Sequence, residues 1–188
     1  DPGFVFITIH RLREQIPLGN QANLKGWRVE TFGQYGTQLP SFYIAAKLMW
    51  NPAADVDALV HDFAVKFYGP AAEPMEAYTW LMNDTLRDAD HHTGSSWNLH
   101  TMYTSEVREK AGQLLADAAT RVEKGSVYAL RVALAQESFG LTDHFVRMME
   151  ARSAMDLAKA GEELKQVDEH AAKLLAANPP LIDPRTYK

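Results

Sequence analysis

Apolar side chains recur at helical spacing along most of this chain. The clearest case is residues 55–68, where one helical face would carry five large apolar residues: Val56, Leu59, Val60, Phe63 and Phe67. Asp55 precedes this stretch as an N-cap, and Gly69 followed by Pro70 is typical of a helix end. The pattern therefore predicts a helix that begins after Asp55 and ends at Tyr68.

The same spacing predicts further helices. One covers residues 41–50, and the next carries Pro70 and Pro74 in its first turn, where proline loses no helical hydrogen bond. Ser105 is predicted to cap another, and Gly125 with Ser126 separates it from a long helix at residues 127–159. Gly161 is expected to interrupt the chain before a last helix at 162–177. Near the start, residues 10–16 are predicted to form a short helix that stops at Pro17.

Two short runs differ, because they are rich in β-branched and aromatic residues. Residues 4–9 and 24–31 are predicted to be strands. One or two strands cannot form a stable sheet alone, so they would need partner strands outside this chain. The sequence thus predicts a mainly α fold, a bundle of five to six helices preceded by one or two short strands that look like the end of a (β/α)8 barrel. Residues 1–39 would be the end of a truncated barrel, and residues 40–188 an α-helical C-terminal domain.

Composition excludes several classes of function. A net charge of −5 leaves no basic face for nucleic acid, and no apolar run approaches the length of a membrane span. The chain has no cysteine, which excludes disulfides, thiolate catalysis and zinc-finger sites. Residues 1–9 lack the basic segment and cleavage site of a signal peptide. Because the first residue is Asp1 and not Met, we expect the chain to be processed or to begin inside a longer polypeptide.

A series of motifs between residues 26 and 72 carries a family resemblance. In order, they are Gly26-x-x-x-Glu30, Tyr35-Gly36, Pro40-x-x-Tyr43, Ala45-Ala46-Lys47-Leu48-Met49-Trp50-Asn51-Pro52, Asp55-Val56-Asp57-Ala58-Leu59 and Phe67-Tyr68-Gly69-Pro70-Ala71-Ala72. This series resembles the C-terminal region of an uncharacterised bacterial family that is similar to α-glucuronidases and β-hexosaminidases. The resemblance is best over residues 20–85. It implies a glycoside-hydrolase-like protein in which a helical domain follows a barrel and buttresses it.

The resemblance implies a place for three residues. Residues 27–31 would be the last or nearly last barrel strand, with Glu30 at the end where barrel active sites are built. Glu30 is therefore a candidate to bind a sugar hydroxyl, with Trp27 and Tyr35 offering apolar faces to the sugar ring. Glycoside hydrolysis generally needs two carboxyl groups, and this segment supplies only Glu30. We therefore expect this chain alone to be inactive, and its sequence identifies no catalytic residue.

The resemblance also implies partners and a compartment. The substrate would be a carbohydrate bound through the upstream barrel segment, and an extracellular or periplasmic location is favoured. No cofactor and no metal are predicted. The cluster of Asp88, Asp90, His91 and His92 has no spacing typical of a metal site, and it fits a solvated helix end.

Other interpretations stay open. Glu30 could be an ordinary acid at a strand end, and the full protein need not be an enzyme. The aromatic residues at helical spacing are expected to pack in the core, namely Trp50, Phe63, Phe67, Tyr68 and Trp80. The alternative function is a non-catalytic helical protein-interaction module, which would need an exposed apolar patch on the bundle.

Overall fold

The computed structural model describes residues 4–27, 35–90 and 98–177, and of residues 35–37 it describes the backbone alone. These ranges form a helical bundle, as the sequence predicted. The helices in chain order are α1 (Ile9–Gln21), α2 (Tyr35–Trp50), α3 (Val56–Tyr68), α4 (Ala72–Arg87), α5 (Leu99–Met102), α6 (Ser105–Thr120), α7 (Val127–Ser153) and α8 (Leu157–Ala176), with a 3-10 turn at Gly69–Ala71.

Helix α3 has the bounds and caps that its sequence predicts. The Asp55 carboxylate accepts hydrogen bonds from the backbone N–H groups of Asp57 and Ala58. Gly69 follows the last residue with φ +54°, a conformation that side chains with a Cβ atom rarely adopt. At α6 the cap is Thr104, one residue before the predicted Ser105.

The predicted strands are absent from the described residues. Residues 4–8 are irregular, and Ile9 already belongs to α1, so the strand prediction for residues 4–9 is wrong. Of the second predicted strand, residues 24–27 are irregular too, and residues 28–31 lie outside the described ranges. The β-branched and aromatic residues of the first run contribute to the helical core and do not form a strand. Phe4, Val5 and Ile7 are buried among helices, which requires apolar side chains without requiring a sheet.

Proline and glycine mark helix ends less reliably than the sequence suggested. Helix α1 continues through Pro17 to Gln21, and α2 begins at Tyr35 and includes Pro40. Helix α8 runs through Gly161 without interruption. The break between α7 and α8 comes earlier, where Met155 has φ +60° and the Asp156 carboxylate caps the N–H of Lys159. The boundary between α7 and α8 therefore lies where Asp156 caps the new helix, and not at Gly161, which has open space around it.

The helices pack on their neighbours in the chain, and α4 also on α6, around one hydrophobic cluster. Helices α7 and α8 form the most extensive pair, and α4 packs on α3, α6 and α1. The cluster joins Phe4, Val5, Ile7 and Ile9 to side chains of every long helix. Residues from both predicted domains, 1–39 and 40–188, thus contribute to one core. The boundary between residues 39 and 40 stays a prediction.

Four members of the predicted aromatic core pack on the hydrophobic cluster, and of these Phe67 and Trp80 are partly buried. Phe63 and Tyr68 are buried, and Phe67 stacks on Phe63 with ring centroids 5.1 Å apart. Trp50 does not belong to this core, since 93% of its surface is exposed at the end of α2. No helix in the described ranges combines the length and apolar composition needed to cross a membrane.

Candidate functional site

The three residues predicted to form a sugar site are only partly described. Trp27 is 39% exposed, and its indole lies against Gly19 of α1, where a Cβ atom would collide with the ring. Glu30 lies outside the described residues. Tyr35 is the first residue of α2, and its side chain is not described. The prediction that these residues share one site therefore stays a prediction.

A polar groove lies between α1 and α4, and we call it the α1–α4 groove. Its volume is about 330 Å³, and it is lined by charged and polar residues around one tryptophan: His10, Arg13 and Glu14 from α1, Asp57 from α3, and Trp80, Asn83, Asp84 and Arg87 from α4. Antiparallel packing of α1 on α4 produces it, because His10 meets Asn83 while Arg13 meets Trp80 one turn away.

Asn83 holds His10 at the base of this groove. The buried Asn83 Oδ1 accepts the backbone N–H of His10 at 2.9 Å and lies 2.9 Å from the Nδ1 atom of the ring. The backbone contact identifies that Asn83 atom as the oxygen, since an N–H group needs an acceptor. Nδ1 must then carry the ring proton, so in the neutral imidazole Nε2 is the acceptor. The bond also caps the start of α1, where Thr8 makes no side-chain cap.

Ion pairs form the two ends of the groove. Arg13 donates to Asp57 at 2.5 Å, and its guanidinium lies 5.5 Å from the ring centroid of Trp80. Arg87 donates to Asp84 and, through two nitrogens, to Asp88 just outside the groove. The Arg87 hydrogen bonds hold the pKa of the Asp88 carboxyl below its usual range. Each arginine of the groove is therefore already neutralised by a carboxylate.

A second charged groove, of about 390 Å³, lies between α6, α7 and α8. Its centre is Arg108, whose side chain is only 7% exposed. Arg108 donates to the carbonyl of Tyr103, to Asp143 at 3.0 Å and to both oxygens of Glu150. All three guanidinium nitrogens thus have partners within the protein, which indicates a structural ion cluster that joins α6 to α7.

Two histidine–glutamate pairs join α7 to α8. His144 bonds Glu163 and His170 bonds Glu137, each through Nδ1 at 2.6 Å, and the two imidazole rings stack 5.4 Å apart. Among the described residues, no group of three or more His, Asp or Glu side chains could hold a metal ion. In the predicted cluster near residue 90, Asp88 pairs with Arg87, while His91 and His92 lie outside the described ranges.

Sequence reasoning did not identify the α1–α4 groove. The signal in α4 is a polar and aromatic face, Trp80, Asn83 and Arg87, at spacings of three and four residues opposite the buried Met75 and Met82. That spacing shows which side chains share a face. It cannot show that His10 and Arg13, some seventy residues earlier, lie against it.

Comparison with known proteins gives one match. Residues 5–79, less than half of the chain, match the model of a family described as a domain of unknown function, DUF4838. The matched segment contains α1, α2, α3 and the start of α4, and with them one side of the α1–α4 groove. No curated protein matches the chain. No solved structure matches it either.

Proposed function

We propose that this chain is the helical C-terminal part of a carbohydrate-active, glycoside-hydrolase-like protein, in which the bundle buttresses a (β/α)8 barrel. The ordered motifs of residues 26–72 support this proposal through the resemblance they carry. The match of residues 5–79 to an uncharacterised family overlaps the residues that carry this resemblance. The proposed ligand is a saccharide, and the barrel segment would be supplied upstream.

The observation that carries the buttress proposal is the way in which the bundle holds residues 4–8. The N–H of Val5 donates to Thr142 Oγ1 at 2.9 Å, and the Val5 carbonyl accepts from the Tyr103 hydroxyl at 2.7 Å. Phe4 packs on Phe145 with ring centroids 4.1 Å apart. Side chains of distant helices therefore fix the backbone that leads into α1, which is what a rigid support for neighbouring segments requires.

In this proposal Glu30 binds a sugar hydroxyl. An ionised carboxylate accepts hydrogen bonds only, so it suits hydroxyl groups as donors. Trp27 and Tyr35 would offer aromatic faces, and the part of the Trp27 indole that is not packed on Gly19 remains exposed. One carboxylate does not make a catalytic pair, so hydrolysis would need a second carboxyl group from the upstream barrel.

The test uses the full-length protein that contains this chain. Binding of neutral disaccharides and turnover of a panel of nitrophenyl glycosides would be measured for Glu30→Gln and for the control Glu123→Gln, an exposed acid outside both grooves. We expect Glu30→Gln to weaken binding or turnover about tenfold or more at an unchanged melting temperature. Glu123→Gln should change neither. Unchanged binding and turnover in Glu30→Gln would remove that residue from the site.

The alternative, a helical protein-interaction module, is favoured by a different observation. The turn between α7 and α8 leaves Met155 79% and Leu157 67% exposed, and Leu164 lies two turns further along the same face of α8. If the full-length protein binds no saccharide, we expect Leu157→Ser to lower its affinity for a protein partner. Saccharide binding that is lost only in Glu30→Gln would instead exclude this alternative as the main function.

A further inference from the structure

We propose that the α1–α4 groove is a binding site for a neutral saccharide. The proposal rests on the proposed function for its ligand class, and it adds a contact surface on the helical bundle, apart from Glu30. The groove combines three features in about 330 Å³, namely paired charges, an orientated histidine and a tryptophan face. Each of these features limits the chemistry of the ligand.

The charges argue against an anionic ligand. Arg13 is paired with Asp57, and Arg87 with Asp84 and Asp88. A phosphate or carboxylate would have to displace a carboxylate that is already in place. Glu14 adds a further negative charge to the lining, so the groove carries more acids than arginines. This excess of carboxylates disfavours an anion, and a purely apolar ligand would leave the charged groups without solvent.

The same groups suit hydroxyl ligands. A hydroxyl both donates and accepts a hydrogen bond, and the Arg–Asp pairs present donors beside acceptors. In its neutral form His10 adds an acceptor of defined identity, because the contact of Nδ1 with Asn83 Oδ1 places the ring proton on Nδ1 and leaves Nε2 as the acceptor. Asn83 is buried, so this orientation does not depend on a mobile surface side chain.

Trp80 supplies the apolar part of the groove. It is half-buried, and its ring packs against the Arg13 guanidinium on one side. A pyranose has C–H groups as well as hydroxyls, so an aromatic surface beside hydrogen-bonding groups matches both parts of the ligand. The groove volume lies near the lower end of small-molecule sites, which fits one or two sugar residues better than a protein segment.

Nuclear magnetic resonance can test this site within one molecule. The full chain would be titrated with cellobiose, xylobiose and chitobiose as neutral probes, and with glucuronic acid and inorganic phosphate as anionic probes. We expect the indole N–H resonance of Trp80 to shift saturably with at least one neutral disaccharide. Trp50 is the internal control, since its side chain is exposed and lies outside the groove lining. The absence of a saturable Trp80 shift, equal shifts at Trp50, or shifts with the anions alone would overturn the proposal.

Two variants test the roles of single residues. His10→Ala should weaken disaccharide binding about fivefold or more, because it removes the Nε2 acceptor. The control His61→Ala removes an exposed histidine that pairs with Glu76 outside the groove, and it should leave binding unchanged. Trp80→Phe keeps an aromatic ring, so it should fold and retain most of the affinity. Equal affinity of the His10 and His61 variants would contradict the assigned acceptor.

The two proposals can fail separately. If Trp80 shifts with a disaccharide and Glu30→Gln leaves that shift intact, the groove is a site independent of Glu30. If Glu30→Gln impairs turnover by the full-length protein while Trp80 never responds, the groove proposal is wrong and the proposed function stands. A protein that shows neither effect would contradict both.

Discussion

The ring of Tyr128 lies directly over Gly69, so that a Cβ atom at residue 69 would approach the ring to 2.7 Å. Gly69 ends α3, and Tyr128 is in the first turn of α7. Arg131 reinforces this contact, because its guanidinium donates to the Phe67 carbonyl at 2.8 Å and lies 4.4 Å from the Phe67 ring centroid. The segment that matches the uncharacterised family is thereby joined to the later helices.

This contact predicts that Gly69→Ala is strongly destabilising. The substitution combines an unfavourable positive φ with a collision against Tyr128, and we expect a loss of about 2–4 kcal/mol. Gly125→Ala is the matched control, since φ is +83° there but nothing lies near the added Cβ atom, and about 1 kcal/mol should be lost. Urea denaturation measures both. Equal losses would mean that Tyr128 gives way without cost.

Two glycines inside helices should respond in opposite directions. Gly161 has open space around it, so Gly161→Ala should stabilise α8 by about 0.5–1 kcal/mol. At Gly140 an added Cβ atom would collide with the His170 ring, which is bonded to Glu137 and stacked on His144. Gly140→Ala should therefore cost about 1–3 kcal/mol. Thermal unfolding of the two variants tests the prediction, and stabilisation by both would contradict the His170 contact.

The sequence predicted the presence of the helices better than the residues at which they begin and end. Asp55 and the apolar face of α3 are local signals, and they located that helix correctly. Gly161 and Pro17 are local signals too, but packing overrides them. Burial of Ile16 and Gly19 on either side of Pro17 stabilises α1 beyond the proline. The effect of a helix-breaking residue depends on its neighbours in space, which a single sequence does not give.

Arg108 should be the most costly charged residue to remove. Arg108→Met would remove the cation that Asp143, 13% exposed, shares with Glu150, while Asp143 keeps its ion pair with Arg147, and we expect a loss of about 1.5–3 kcal/mol. Arg121→Gln is the control, because Arg121 pairs with Asp117 and Glu73 at the surface, and its loss should have little effect. Chemical denaturation measures the difference. Similar small effects for both would show that the Arg108 cluster adds no stability.

The raised pKa of Tyr43 predicts that the free energy of unfolding falls at alkaline pH. Its hydroxyl donates to Asp62, and this bond, with burial, raises the pKa of Tyr43 to about 12. The unfolded state would lose the tyrosine proton near pH 10 and the folded state only near 12. The stabilisation of the folded state by protonated Tyr43 is therefore complete below pH 10, and it is lost as the pH rises through 12.

The matched variant for this effect is Tyr43→Phe. Urea denaturation at pH 9, 10 and 11 should give a flatter pH dependence in Tyr43→Phe than in the unchanged chain. Burial also raises the pKa of Tyr68, Tyr78 and Tyr103, so part of the dependence should remain in the variant. Identical slopes would exclude Tyr43 as a contributor.

The candidate site was less predictable than the fold. Trp80 packs against the hydrophobic cluster, as its helical spacing predicted, but it is only partly buried and also lines a groove that the spacing did not indicate. Trp50 obeys the same spacing and is almost fully exposed. The bonds that define the groove join residues about seventy positions apart, such as His10 and Asn83, and no periodicity reports such a separation. The run at residues 4–9 has strand-like composition for the same reason that buried strands do, because it is surrounded by apolar side chains.

Hydrogen exchange at the Val5 amide tests the buttress most directly. If the bundle holds residues 4–8 rigidly, this amide should exchange as slowly as those in the middle of α7, because it donates to the buried Thr142 Oγ1. Thr142→Val should abolish the protection, whereas Ser138→Ala should preserve it, because the Ser138 hydroxyl makes no hydrogen bond within the described structure. Exchange at Val5 as fast as at the exposed residues 24–27 would contradict the account.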